Sequence, residues 1–239
     1  MPWELDAITE ALAAGLRRAE ADLAEEHAVH GLDALDEIGL HPILASGLAA
    51  IDLAVFRETP YPGQPGTLPK ESERLRCDLV VTAPGTTGVA DKVLQGKEMR
   101  GVSDSLFADV AERLTAPPEG FAAPEDALWL EIKTVGQYSY VDGFAGPNRS
   151  YASQFNQCRH DLKKLGLARC VEQAALVLVL FHERTEIAEH DLTAFVHKCL
   201  DHHLPVAGLT TASLPIADRI GNAVCTVGLV RVRASGGDY

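Results

Sequence analysis

Eight consecutive apolar residues, Ala174-Ala175-Leu176-Val177-Leu178-Val179-Leu180-Phe181, constrain the fold of this chain more than any other feature. Successive strand residues point to opposite sides of a sheet, so a strand that is apolar throughout needs a cover on both faces. Helices above and below a sheet meet that demand, and the rest of the chain supplies them. Leu5, Ile8, Leu12, Leu16, Ala19 and Leu23 recur at three- and four-residue steps, which predicts an amphipathic helix from Leu5 to about Val29. Gly31 interrupts the pattern. Asp33 then stands where an N-cap belongs, and Leu35, Ile38, Leu40, Leu44 and Leu48 predict a second helix. Pro42 places a break or a new first turn near His41. Two more helices are expected, Ser150 to Leu165 with Gly166 as its stop, and Ile187 to Leu200.

Strands fill the gaps. Ile51 to Phe56 is β-compatible and runs into the turn-rich segment Arg57 to Gly63, and Leu75 to Val81 forms a second strand stopped by Pro84-Gly85, so the two are expected to pair as a hairpin. Pro65 to Ser72 reads as a loop. Residues 84 to 126 read as a peripheral insertion with one helix over Ser103 to Leu114. Leu128 to Val135 is the third strand, followed by a glycine- and aromatic-containing loop from Gly136 to Asn148 of a kind that can clamp a ligand. Val206 to Leu209 and Val224 to Val232 are further strands, and Gly236-Gly237 frays the end. The expectation is an α/β fold with a central mixed sheet flanked by helices, its core in the order helix, three strands, helix, strand. At 239 residues with 46% hydrophobic content it reads as a single domain over 1–239, with N-terminal helices in 4–48 and the insertion in 84–126.

Composition then narrows the function. No stretch approaches the roughly 18 to 20 uninterrupted apolar residues of a membrane helix, so no membrane partner is expected. The first residues lack the basic flank and apolar run of a secretory signal, which leads to a cytoplasmic expectation. Cys77, Cys158, Cys170, Cys199 and Cys225 are scattered with no C-x-x-C pair, and buried reduced thiols are the default reading. His41, His160, His202 and His203 lack His-x-x-x-His spacing among them and read as surface residues. No Gly-x-Ser-x-Gly elbow and no phosphate-binding glycine loop is present. The net charge of −13 argues against coating nucleic acid through bulk charge, so any such groove has to be locally basic or completed by a protein partner.

The chemistry sits in the third strand. Glu131 and Lys133, two residues apart, share one face of an apolar strand, and burying such charges idle is costly. Asp78 is likewise a lone acid beside Leu79, Val80 and Val81 on the expected neighbouring strand. Two acids and a lysine brought together make a hard-cation site with a phosphate-facing donor. A purely structural ion pair between Glu131 and Lys133 is the competing reading. Asp161-Leu162-Lys163 has the same form, but on a helix residues two apart diverge and cannot build the same site.

An acid on one strand followed by Glu-x-Lys on the next resembles the PD-(D/E)XK, or restriction-endonuclease-like, nuclease superfamily. The matching residues are Asp78 and Glu131-Ile132-Lys133; Cys77 stands where the family often has proline, and the gap to Glu131 is long. The resemblance implies Asp78 and Glu131 as metal ligands, Mg2+ as cofactor with Mn2+ possible, and Lys133 as the catalytic lysine. It also implies a helix-borne glutamate before the first strand, matched to Glu37 with Glu25 and Glu26 as alternatives. Gln154, Gln157 and Asp161 on the following helix would approach the site. Asp91 and Asp126 are alternatives to Asp78, though neither lies in an apolar strand. Lys163 and Lys164, with Arg159 and Arg169, form the best local basic patch; a solvated helix face is the competing and commoner reading, and Lys163 and Lys164 are the residues expected to contact phosphate if the patch binds it. Tyr138, Tyr140, Phe144 and Tyr151 can stack on bases or simply pack their loop. The implied activity is metal-dependent phosphodiester hydrolysis, on DNA rather than RNA, with a homodimer or a protein partner possible. A nuclease-like module without turnover, binding nucleic acid or protein, is the alternative.

Overall fold

The computed structural model describes residues 3–62, 75–91, 117–141, 143–168 and 171–233. The expected loop at 65–72, the expected helix at 103–114, Arg169, Cys170 and Gly236-Gly237 lie outside them. Helices α1 (Leu5–Glu25) and α2 (Glu37–Ala49) come first, joined through a 3-10 turn at Leu32–Ala34. Strands β1 (Ala54–Pro60) and β2 (Arg76–Thr82) follow, and β5 (Leu128–Gly136) comes after the short strands β3 (Gly88–Val89) and β4 (Phe121–Ala122). Then come β6 (Tyr138–Val141), β7 (Phe144–Pro147), helix α3 (Tyr151–Leu167), β8 (Gln173–His182), helix α4 (Thr185–Asp201), β9 (Val206–Pro215) and β10 (Val224–Val232).

The main sheet has six strands in the order β1-β2-β5-β8-β10-β9. Only β5 and β8 run parallel; every other neighbouring pair is antiparallel, so the sheet is mixed. The parallel pair is made possible by α3, which crosses between them. Along β8 the apolar run divides cleanly between two cores. Val177, Val179 and Phe181 join Leu12, Leu16, Leu44 and Leu48 of α1 and α2 on one face. Leu176, Leu178 and Leu180 join Leu162, Leu165, Leu192 and Phe195 of α3 and α4 on the other. That two-sided cover is what eight apolar residues in a row required. The described cysteines Cys77, Cys158, Cys199 and Cys225 are free and buried, and no helix among the described residues is long and apolar enough to cross a membrane.

Several boundaries differ from the sequence reading. The N-cap of α2 is Asp36, whose side chain accepts from Gly39 N–H at 2.8 Å, rather than Asp33. The helix passes through Pro42 without a break. Gly166 lies inside α3 instead of ending it: a Cβ there would stand 2.4 Å from Pro205 Cγ, so this glycine serves close packing. The segment expected as a loop at 136–148 is largely the β6–β7 hairpin. The first strand starts later and runs through Arg57 to Pro60, the stretch read as a turn.

Candidate functional site

Strands β2 and β5 pair over three positions only, Leu79 with Leu130, Val80 with Trp129 and Val81 with Leu128. One step further the ladder would set Asp78 opposite Glu131, and there it opens. Asp78 Oδ2 instead accepts the Ile132 N–H at 2.6 Å, taking the place of a strand partner. On its other edge β2 passes from Arg57↔Leu79 to Thr59↔Cys77, skipping Glu58 and Asp78. Glu58 has φ +51, a left-handed conformation that costs a non-glycine residue about 1–3 kcal/mol and persists only where its surroundings impose it. Arg76 Nη1 fixes it by donating to the Glu58 carbonyl at 2.7 Å. The opened ladder lets groups from α2 and α3 reach one gap.

From α2 come Glu37 and His41, one helical turn apart and so on one face. Lys133 Nζ donates to Glu37 Oε1 at 2.7 Å and to the Ile132 carbonyl at 2.9 Å. Donor atoms of Glu37, His41 and Asp78 all lie within 4.8 Å of one another. His41 is not the surface residue its sequence context indicated: it is 1% exposed, and neither ring nitrogen has a hydrogen-bond partner. The Glu58 carboxylate stands 3.7 Å from its Nδ1. The Glu37–His41 spacing was the available signal for this residue, but sequence alone carries no measure of its burial.

From α3 comes Lys164. Its Nζ donates to Glu131 Oε1 at 2.6 Å, and Tyr61 OH donates to the same oxygen at 2.5 Å. Tyr61 in turn stacks on Trp129, and Lys164 Nζ lies 4.9 Å from the Tyr61 ring centre. Glu131 is thus 2% exposed and fully engaged at one oxygen. Glu131 and Lys133 do not pair with each other; each bonds to a helix on a different side of the strand gap. Lys164, expected as a phosphate contact, is turned inward, while Lys163 remains exposed.

The electrostatics follow from burial. Burial, then the nearby Glu131 charge, pushes the Asp78 carboxyl up to about 7. Burial also raises Asp161, with Lys133 opposing and Glu131 reinforcing the shift. Burial pulls Lys133 down, but the hydrogen bond and charge of Glu37 outweigh it and hold the ammonium above its ordinary value. Burial lowers His41, against the opposing pull of Glu58. A cleft of about 520 Å³ opens here, lined by Glu37, Lys133, Thr134, Gln154, Gln157 and Asp161 among others. Gln154 also accepts from Asn148 Nδ2 at 2.9 Å, which ties the β6–β7 hairpin to the cleft wall.

No family model, curated protein or solved structure matches this chain. What the site can do is therefore read from its own geometry. A divalent cation fits the donor set: it would satisfy a buried imidazole that has no partner and relieve two carboxyl groups crowded in one gap. Glu37, His41 and Asp78 are the residues placed to hold it. Glu131 lies outside that 4.8 Å group but close enough for its charge to raise Asp78. Glu25, Glu26, Asp91 and Asp126 are not part of the group. Arg159 Nη2 donates to Asn156, and Phe144 is exposed at the hairpin end. The OH of the half-buried Tyr151 donates to Asp191 and contacts His182 Nε2 at 2.6 Å, and its ring meets Phe155 edge to face.

Proposed function

We propose that this chain is a divalent-metal-dependent nuclease with a restriction-endonuclease-like core, hydrolysing phosphodiester bonds in DNA. The observation that carries the reading is the opened β2–β5 ladder, where Asp78, Glu37, His41 and Lys133 converge beside Glu131. A mixed sheet built in the order helix, three strands, helix, strand is consistent with it. DNA is preferred to RNA through the Glu-x-Lys resemblance alone.

A divalent cation held here would supply Lewis-acid polarisation of a phosphoryl oxygen and would make water more acidic near neutral pH. The chain's own groups do the rest. Asp78 and Glu37 would hold the cation through carboxylate oxygens, and the Ile132 N–H fixes the Asp78 rotamer. Lys133, held protonated by Glu37, offers an ammonium to the charge that builds on phosphorus oxygens or to the attacking water. Glu131, anchored by Lys164 and Tyr61, stands beside the ligand group. Gln154 and Gln157 on α3 line the cleft along which the substrate backbone would lie, and Lys163 is exposed on the same helix.

The test is incubation of the purified chain with single- and double-stranded DNA and RNA under Mg2+, Mn2+ or EDTA. Metal-dependent DNA cleavage that falls by about 10²–10⁴-fold in Lys133→Ala is expected, the range for loss of an acid–base group. No cleavage under any metal would overturn the reading. A second reading, a nuclease-like module that binds without cutting, is favoured by the −13 charge and by the neutralisation of Glu131 through Lys164. Binding without cleavage in both proteins would support it.

A further inference from the structure

We infer that His41 is a metal ligand, and that the cation of this site is a first-row transition ion bound through Glu37, His41 and Asp78 in preference to Mg2+. The inference rests on the metal-dependent reading above and goes beyond it by assigning the ligand set and the ion class. Two independent observations meet at this residue. The first is proximity: a ring nitrogen of His41 and oxygens of Glu37 and Asp78 lie within 4.8 Å of one another, a separation that one ion with bonds of about 2.0–2.2 Å can span with small adjustments. The second is an unmet need. His41 is 1% exposed, yet both of its ring nitrogens lack a hydrogen-bond partner, although buried polar atoms are bonded in the large majority of cases.

The surroundings fit a ligating imidazole. Glu58 Oε1 stands 3.7 Å from Nδ1, the position from which a carboxylate orients a metal-bound histidine after a small closure. Its carboxylate is brought there by the one non-glycine residue of β1 with positive φ. The strain at Glu58 and the orphaned imidazole therefore have a common explanation. A neutral nitrogen donor is a poor partner for Mg2+, which prefers oxygen and water, but a good one for Mn2+, Fe2+, Co2+ or Zn2+.

Mn2+ is the probe, because it is the weakest binder of that series and its unpaired electrons report nitrogen ligands. The full chain, stripped with EDTA, is titrated by calorimetry with Mn2+ alone and with Mg2+ alone. The protein carrying one equivalent of Mn2+ is then examined by pulsed electron paramagnetic resonance. The expected result is one Mn2+ per chain bound at least about tenfold more tightly than Mg2+, with histidine nitrogen modulation in the spectrum. His41→Gln should abolish the modulation and weaken Mn2+ by on the order of 10–100-fold, with a smaller change for Mg2+. Wild-type protein that binds Mn2+ without nitrogen modulation overturns the inference, and this measurement needs no variant to fold. Equal affinity for the two ions, or a modulation that persists in His41→Gln, overturns it as well. The outcomes separate from those of the nuclease reading. A nitrogen-ligated ion in a protein that cuts nothing defeats the nuclease proposal alone, and Mg2+-dependent cleavage without a nitrogen ligand defeats this inference alone.

Discussion

Asp78 is where residue chemistry and fold meet most directly. In the folded chain its carboxyl is pushed up to about 7 by burial and by Glu131, against about 3.9 for a free aspartate. The folded state therefore keeps a proton that the unfolded chain releases. The stability this group contributes is complete below about pH 4 and is lost as pH rises through 7. Asp78→Asn cannot ionise, so in EDTA at pH 8 it should be more stable than wild type by about 1–3 kcal/mol, with no difference at pH 4. Urea unfolding at the two pH values checks this, and equal stabilities at both would mean that burial and Glu131 together do not raise Asp78. The acids and Lys133 were legible in sequence because charge inside an apolar strand is conspicuous. Their partners were not, since the choice of Lys164 and Tyr61 for Glu131, and of Glu37 for Lys133, is made by packing between elements distant in sequence. His41 was misread for the same reason: its burial depends on β1 and β2, which a helical pattern does not reveal.

Among the elements, α2 determines whether the site exists, because it carries both Glu37 and His41. It rests on α1 through Gly15 and Gly47, where a Cβ on Gly47 would lie 2.2 Å from the Ala11 carbonyl oxygen. That neighbour is backbone and cannot give way cheaply. Gly47→Ala should destabilise the fold by about 1–3 kcal/mol through overpacking, and it should also weaken Mn2+ binding, because α2 has to move away from α1. Gly146→Ala, whose Cβ would meet nothing within 4 Å, is the control and should change neither property. Thermal denaturation and metal titration of both variants read the effect. The elements themselves were readable wherever periodicity was strong, as in α1, β5 and β8. The reading failed where one residue's local preference was overruled by context. Pro42 is carried through α2, Gly166 is kept in α3 by Pro205, and the glycines of 136–148 serve a hairpin instead of a loop.

For the molecule as a whole, the class of fold follows from one strand that had to be covered on both faces. The location of the site follows from a defect in the same sheet, the early end of β2–β5 pairing. The first was legible because it is a property of composition along a strand; the second was not, because a ladder opening depends on three elements at once. With a net charge of −13, a metal-free site that holds several carboxyl groups is a local strain that a cation relieves. Divalent metal at 100 times its Kd should stabilise the chain by about 2.7 kcal/mol, which raises Tm by about 5–10 °C for a protein of this size. Differential scanning calorimetry with and without EDTA measures it, and an unchanged Tm would contradict it. The most direct measurement is a crystal structure of the chain grown with Mn2+ and mapped by anomalous scattering. A single peak about 2.0–2.3 Å from carboxylate oxygens of Asp78 and Glu37, in the gap between β2 and β5, is the expected result. Mn2+ bound only elsewhere, with that gap empty, would contradict the account.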